Sequence, residues 1–554
     1  MGRTWHAMRA VLRASDLRRA LTGYAGFNIA EQSTWVAMLV YAFTQGGATE
    51  AGIISLVQLA PAALAAPFLG TLADRVAPTK VQTIGYAAQA VATSAVAVVL
   101  LVDGSSIVVY ACAAVAATLF TVSRPAQAVL TPALSRSPLD LGAAMVITGW
   151  IENASVLVAP ALAGVVLATT GVGELFVVAA VLSAASALLV APLRATDPDP
   201  RRGAVDDFTA SGWEEVTGGF RALRRNREAR LVVAFFGLEH IGWGAIDLLS
   251  VVLALGILDL GNGGAGYLEA AFGAGGLVGI AVAMGALGGR RLAPVLLGGA
   301  VAWGASLFVL GLAPSTAAAF ALFVVAGSGR AVLDLSARTL LLRVAPPAVV
   351  SRMFGIAEGL SMVGLAIGAL LVPVLVELGG PETALIGTGV LVAGLALLRA
   401  RSVWAVDAAA NVPVVELALL RRLPIFGPLP ATSLEALARA LVVLEFPSGA
   451  VIVSDGETGD RYYAIADGEV EVVRGVHRVA TLGRGEGFGE IALLHDIPRT
   501  ATVRAISDVT VFALDREPFT IALTGHESTA SMARAIAAER GAQADATTDS
   551  SSMS

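Results

Sequence analysis

GFGEIALLHDIPRTATVRA, Gly487 to Ala505, concentrates the residue types that hold an anion and a hydroxylated sugar side by side. Gly487 and Gly489 let a backbone approach a ligand closely. A short turn running into Ile491, Ala492, Leu493 and Leu494 would present amide N–H groups to a negative charge. Glu490 can accept hydrogen bonds from a sugar hydroxyl, and nine residues on, Arg499 offers a planar fork that meets a phosphate with two parallel bonds. On both flanks, alternating apolar and polar residues are punctuated by Gly449, Gly456, Gly459, Gly468 and Gly475, which predicts a small antiparallel β-roll.

FGEIALL followed after three residues by PRTATV closely resembles the phosphate-binding cassette of cyclic nucleotide-binding domains. The likeness extends from LRRLPIFGPLP (Leu420 to Pro430) through SLEALARAL and FPSGAVIVSDGETGDRYYAIADGEVEVV to VTVFALDREPF, about a hundred residues. It implies a nucleotide site built from Gly489, Glu490, Ile491, Ala492, Arg499, Thr500 and Ala501. Glu490 would bind the ribose 2′-hydroxyl and Arg499 the phosphate. Thr500 would bear on the choice between cyclic AMP and cyclic GMP; threonine there suits both, with cyclic AMP favoured. A roll that has lost its nucleotide is the competing reading.

The chain as a whole is too apolar for an ordinary soluble protein: of 554 residues, 56% are hydrophobic and 14% charged. The polar, basic segment 1–19 precedes apolar runs at 20–44, 49–72, 80–102, 105–130, 140–168, 173–193, 229–256, 264–287, 292–312, 316–343, 349–376 and 382–399, each long enough to cross about 30 Å of hydrocarbon as a helix. The first run is full length and lacks a convincing cleavage site, so no cleavable signal peptide is expected. The one cysteine, Cys112, lies within such a run and reads as a packing residue. A net charge of −6 offers no basic excess for nucleic acid.

Lys and Arg concentrate in alternate loops: Arg75 and Lys80, Arg136, Arg201 through Arg230, Arg290 and Arg291, Arg343 and Arg352, and Arg401. The positive-inside rule therefore predicts a multi-pass protein of the cell membrane with both termini cytoplasmic. The expected organisation is a helical half at 20–193, a linker at 194–228, a second helical half at 229–400, a linker at 401–415, a nucleotide domain at 416–542 with a C-terminal helix from Glu527 to Arg540, and a disordered tail at 543–554. The fold class expected is an α-helical membrane protein of twelve spans in two pseudo-symmetric six-helix halves, followed by a cytoplasmic β-roll with flanking helices.

The halves repeat. Glu31 and Trp35 correspond to Glu239 and Trp243, while Arg124 and Glu152 are separated by 152 − 124 = 28 residues, as are Arg330 and Glu358 by 358 − 330 = 28. ADRVAP (Ala73 to Pro78) and GRRLAP (Gly289 to Pro294) occupy equivalent loops. Two related halves are what alternating-access transporters use. GTLADRVAPTK (Gly70 to Lys80) resembles the loop motif between helices two and three of the major facilitator superfamily, although Ala77 and Pro78 depart from its usual Gly-Arg. The resemblance implies a cytoplasmic gate formed by Gly70, Asp74 and Arg75, with the two charges stabilising the outward-open state. VLVAPALAG (Val156 to Gly164) loosely resembles the proline-glycine motif of drug-exporting antiporters of that superfamily, with Ala159 in place of a glycine, and favours export.

Ionisable groups at mid-membrane depth cost about 2.5–3.5 kcal/mol each on insertion scales and face a cavity or one another. Glu31, Glu152, Glu239, Glu358, Arg124 and Arg330 are therefore expected to line the path of an amphipathic or cationic small molecule, with one or more glutamates carrying protons. The competing reading pairs Glu152 with Arg124 and Glu358 with Arg330 as structural locks. His240 reads as a relay or packing group, the i, i+4 series Arg330, Asp334 and Arg338 as an internal ladder, and Asp247 and Glu269 as entrance or wetted residues. No constellation of an enzyme, cofactor or metal centre is present in the sequence. The function expected is a secondary transporter regulated by a cyclic nucleotide; a membrane-anchored sensor that does not transport is the alternative.

Overall fold

The computed structural model describes residues 15–538 apart from 76, 136–137, 194–220, 222, 225, 288–290, 346–349, 411–413, 430, 476, 526–528 and 530; for some helical residues, 62–75 among them, it describes the backbone alone. The segments 1–14 and 543–554 and nearly all of the expected linker 194–228 lie outside the described residues. The side chains of Asp74 and Arg75 do too. The chain divides into a helical unit, Val11–Arg136 with Ala144–Ala410, and a second unit that holds Asn411–Ser554 and the short segments Met1–Ala10 and Ser137–Ala143.

Uninterrupted apolar sequence becomes helix because a helix bonds all of its interior N–H and C=O groups to itself, as hydrocarbon demands. The first element, α1 (Ser15–Arg75), covers the first two expected spans and is broken where Gly46 and Gly47 leave helical geometry. Then follow α2 (Pro78–Leu101), α3 (Ser106–Leu134), α4 (Pro138–Thr169) and α5 (Val172–Val190). After the undescribed segment come α6 (Arg227–Gly256), α7 (Gly264–Leu287), α8 (Ala293–Leu312), α9 (Thr316–Val344), α10 (Val350–Gly379) and α11 (Pro381–Leu398). Among the described residues ten helices, α2 to α11, are long and apolar enough to cross a membrane. A shorter helix, α12 (Ala400–Ala409), occupies most of the region expected to be a linker.

The same packing recurs along the unit. α2 lies against α3 and α5, and α8 against α9 and α11; α1 lies against α3, and α6 against α9. α6 also packs on α10 almost backbone to backbone. A Cβ at Gly244 would overlap the Leu365 carbonyl, and one at Gly368 would overlap that of Ile241. Small residues at such crossings let helices approach closely in lipid, where packing has to replace the hydrophobic drive.

In the second unit, α13 (Val414–Arg422) and α14 (Ala431–Ala440) precede two four-stranded antiparallel sheets, with strand orders β1-β8-β3-β6 and β2-β7-β4-β5. The strands are β1 (Val442–Phe446), β2 (Val451–Val453), β3 (Arg461–Asp467), β4 (Val470–Arg474), β5 (His477–Leu482), β6 (Gly487–Phe488), β7 (Thr502–Ala505) and β8 (Val509–Asp515), with α15 (Glu490–His495) after β6 and α16 (Arg516–Gly525) after β8. Period-two alternation in β3 sends Tyr462 and Ala464 to a core shared with the helices, and Tyr463 and Ile465 to a core between the sheets. Tyr462 stacks on Phe519 of α16 with ring centroids 5.2 Å apart. Of the C-terminal helix expected from Glu527 to Arg540, residues 531–538 are described and helical.

Gly244→Val and Gly368→Val should each wedge α6 from α10 and lower the melting temperature of the detergent-solubilised protein, since overpacking costs about 1–3 kcal/mol. Gly237→Ala, on the same helix but with open space around the added methyl group, should leave it unchanged; equal effects at all three sites would refute the close crossing.

Candidate functional site

Three segments converge on the Arg499 side chain. Gly489 adopts a left-handed conformation (φ +95°) and starts α15, with Glu490 buried in its first turn. A Cβ at Gly489 would stand 2.6 Å from Nη1 of Arg499; glycine therefore meets both the backbone and the space requirement here. Arg499 is held at both ends. Its backbone N–H donates to the Glu457 carbonyl (2.8 Å), while its carbonyl accepts from the Gly456 N–H (2.9 Å). Its guanidinium donates through Nη1 to the Gly489 carbonyl (3.0 Å) and through Nη2 to that of Arg461 (2.7 Å).

These two bonds use two of the five guanidinium N–H groups. Asp460 lies 3.7 Å from Nη2, and the Tyr463 ring 5.8 Å from the guanidinium carbon. Tyr463 is itself stacked on Phe488. Burial lowers the Arg499 guanidinium from its ordinary pKa, and Tyr463, Asp460 and Glu457 oppose that shift; arginine stays cationic throughout. Ala492 is buried against Gly459, where a Cβ would come 2.5 Å from the alanine methyl. Ile491, Thr500 and Ala501 are half-buried along the same stretch. The result is a fixed cation beside a glycine turn and a buried carboxylate, suited to an anion joined to a sugar.

The helical unit pairs its arginines differently from the structural-lock reading. Arg124 of α3 donates through Nη2 to Glu31 of α1 (2.6 Å), and Arg330 of α9 donates through Nη1 to Glu239 of α6 (2.6 Å). Glu152 and Glu358, the partners named in that competing reading, do not receive these arginines: Glu152 accepts from the Tyr24 hydroxyl (2.7 Å), and Glu358 is exposed. The reason is neighbourhood, because α3 packs directly on α1 and α9 on α6. The two pairs differ in access: Arg124 and Glu31 keep 46% and 26% side-chain exposure, against 17% and 1% for Arg330 and Glu239. Arg330 also lies over the Trp243 ring, 4.1 Å from its centroid, a favourable placement for a desolvated cation. Nδ1 of His240 lies 2.9 Å from Glu239 and 2.9 Å from the Phe236 carbonyl, so packing and pairing coincide. Of the expected ladder, Arg338 donates to Asp334 (2.8 Å), while Arg330 is taken by Glu239.

Contacts between the region 15–190 and the region 227–398 gather at the end of the bundle where α1 breaks and α6 passes into α7. Trp35 donates through Nε1 to Asp247 (2.9 Å), and Thr49 to Glu377 (3.0 Å). Gly164 and Gly263 approach backbone to backbone just beyond Pro160, which lies inside α4. Glu269 accepts from Ser250 (2.9 Å) next to Asp247's helical turn.

Two family models match the chain: the Major Facilitator Superfamily over residues 20–294 and the cyclic nucleotide-binding domain over residues 443–526. The chain joins a Major Facilitator Superfamily region to a cyclic nucleotide-binding domain. Over 102 residues it is 36% identical to a cAMP-dependent protein kinase regulatory subunit of Schizosaccharomyces pombe, covering 18% of this chain and 25% of that protein. Over 105 residues it is 39% identical to a cGMP-dependent protein kinase of Eimeria tenella, covering 19% and 10%. A cyclic nucleotide-gated potassium channel of Rhizobium etli is 38% identical over 122 residues, covering 22% and 34%. The matches thus span between a tenth and a third of these relatives' own length.

Within the nucleotide-binding domain, the expected residues Gly489, Glu490, Ala492 and Arg499 come together. Two participants escaped the sequence reading, the Arg461 carbonyl and Asp460, because a backbone acceptor carries no residue signature. In the Major Facilitator Superfamily region, Tyr24 was missed although it lies seven residues, two helical turns, before Glu31. Gly70, Asp74 and Arg75 fall where side chains are not described.

Arg499→Ala should weaken cyclic nucleotide binding by about ten- to a hundredfold, matching loss of a charged hydrogen-bonding partner at about 1.5–3 kcal/mol, and Arg499→Lys should rescue little because it lacks the fork. Isothermal titration of full-length protein checks both, and full affinity in Arg499→Ala would sink the assignment.

Proposed function

We propose that this chain is a secondary active transporter whose conformational balance is set by a cyclic nucleotide bound to its own cytoplasmic domain. The bundle is read as twelve spans in two pseudo-symmetric halves with both termini cytoplasmic, since the two breakpoint-separated parts of α1 supply spans one and two. The observation that carries the reading is the repeated Glu–Arg pair at mid-depth, Glu31 with Arg124 and Glu239 with Arg330, joined covalently to an assembled Arg499 cassette. An inert anchor has no use for charges that are costly in hydrocarbon.

Alternating access explains the asymmetry of the two pairs. Trp35–Asp247, Thr49–Glu377 and the Gly164–Gly263 approach close the outer end, while the half-exposed Arg124 and Glu31 face a path reached from the cytoplasm. Glu31, Glu152 and Glu358 give that path a surplus of carboxylate, which suits a small amphipathic cation and proton exchange. Export fits Pro160 and Gly164 placed at the contact between the halves. Asp74 and Arg75, with Gly70, are assigned to the cytoplasmic gate. Cyclic AMP is favoured over cyclic GMP; relatives named for each nucleotide share the domain, and a relative named as a nucleotide-gated channel supports regulation of a membrane protein by it. The chain acts as a transporter rather than an enzyme.

Proteoliposomes loaded with a fluorescent lipophilic cation such as rhodamine 6G, under an imposed pH gradient, test the transport reading. Glu31→Gln should abolish movement of the dye and leave nucleotide affinity unchanged. Arg330→Ala strands Glu239 and should cost about 3–5 kcal/mol of stability, whereas the double substitution Glu239→Gln, Arg330→Gln should recover folded protein without recovering transport. Dye movement at the wild-type rate in Glu31→Gln would contradict the path assignment.

A further inference from the structure

We infer that Asp407 is the anchor through which the nucleotide domain acts on the transporter, an inference that rests on the regulatory reading above. Helix α8 begins with a defect. Leu292 at its N-cap offers no capping side chain, and Pro294 has no N–H at all. The cap arrives from 115 residues away: both carboxylate oxygens of Asp407 accept from the Leu292 N–H (3.1 and 3.0 Å), and one also accepts from the Ala293 N–H (3.1 Å). A carboxylate at a helix N-terminus meets both the unsatisfied amides and the positive end of the dipole.

Asp407 belongs to α12, directly before the nucleotide domain. Val403, Val406 and Asp407 follow helical i, i+3, i+4 spacing and are all buried, at 1%, 7% and 3% exposure. The two valines belong to the transporter core, and α12 packs on α6, α8 and α11. Only residues 411–413 separate Ala410 from Val414, the first residue of α13 in the nucleotide-binding unit. A displacement of that unit can reach α12 only along this covalent connection, and α12 is pinned to the start of α8.

The pinned point has a particular place in the repeat. Gly289 to Pro294 is the second-half counterpart of Ala73 to Pro78, the loop assigned to the cytoplasmic gate. Pulling on Asp407 moves the second half at the position equivalent to its partner's gate. Asp407 is thus a positioning residue: it touches neither nucleotide nor transported molecule, and its role is to make α12 and α8 move together.

Hydrogen–deuterium exchange of the full chain, with and without saturating cyclic AMP, tests this. Wild type should show a nucleotide-dependent change in peptides covering 290–312 as well as in the cassette at 489–500. Asp407→Ala should keep the cassette response and its calorimetric affinity, and lose most of the response at 290–312; Asp407→Asn should retain part of it. Should Asp407→Ala misfold, a short Gly-Ser insert after Ala410 leaves the cap intact, removes the tether, and should give the same loss. Persistence of the 290–312 response in the alanine variant or, if that misfolds, in the insert variant overturns the anchor and leaves regulation standing. A wild-type response confined to the cassette overturns the regulatory reading and the anchor with it.

Discussion

The helical unit depends on the Glu239–Arg330 pair. At 1% side-chain exposure the glutamate has exchanged water for a guanidinium at 2.6 Å, an imidazole at 2.9 Å and little else. A lone carboxylate there would be prohibitive, and the arginine would face the same penalty without it. The Trp243 face completes the site on the arginine's far side. This pair ties α6 to α9, and the homologous pair Glu31–Arg124 ties α1 to α3. The pair in the region 227–398 is locked away while the pair in the region 15–190 stays partly open, so the same chemistry meets two degrees of exposure.

The nucleotide domain solves a related problem on its own terms. Arg499 is also buried, but its hydrogen bonds go to backbone carbonyls, and the exposed carboxylate of Asp460 stands farther off, at 3.7 Å. A bound phosphate would add its charge to the one that Asp460 brings to within 3.7 Å of the guanidinium. The two cations are thus held differently: Arg330 by a buried carboxylate at 2.6 Å, Arg499 chiefly by backbone carbonyls. A nucleotide that biased the conformation of the helical unit would itself have to bind more tightly to the favoured conformation.

The sequence made the spans legible because runs of about twenty apolar residues have few alternatives in lipid. The roll was legible from turn glycines and alternation, and Glu490 and Arg499 from their chemistry and nine-residue spacing. Partner choice was not. The 28-residue spacing of Arg124 and Glu152 reported the repeat but said nothing of which helices face each other, and the arginine turned to Glu31. Trp35 and Trp243 hold equivalent positions in sequence, yet one donates across the halves to Asp247 and the other lies beneath Arg330. Nor does a segment expected to be a mere linker announce that its aspartate caps a helix 115 residues away. Such contacts are decided by tertiary packing, and local pattern carries no trace of them.

The central claim is that occupancy of the Arg499 cassette shifts the two halves of the transporter against each other. Electron–electron double resonance between spin labels at Thr49 and Glu377, in a Cys112→Ser background, reads the separation of the halves at the end where they close. The account predicts that saturating cyclic AMP changes the populations of short and long distances, and that Arg499→Ala shows no change at the same concentration. Superimposable distance distributions with and without nucleotide, in protein shown by calorimetry to be saturated, would contradict it.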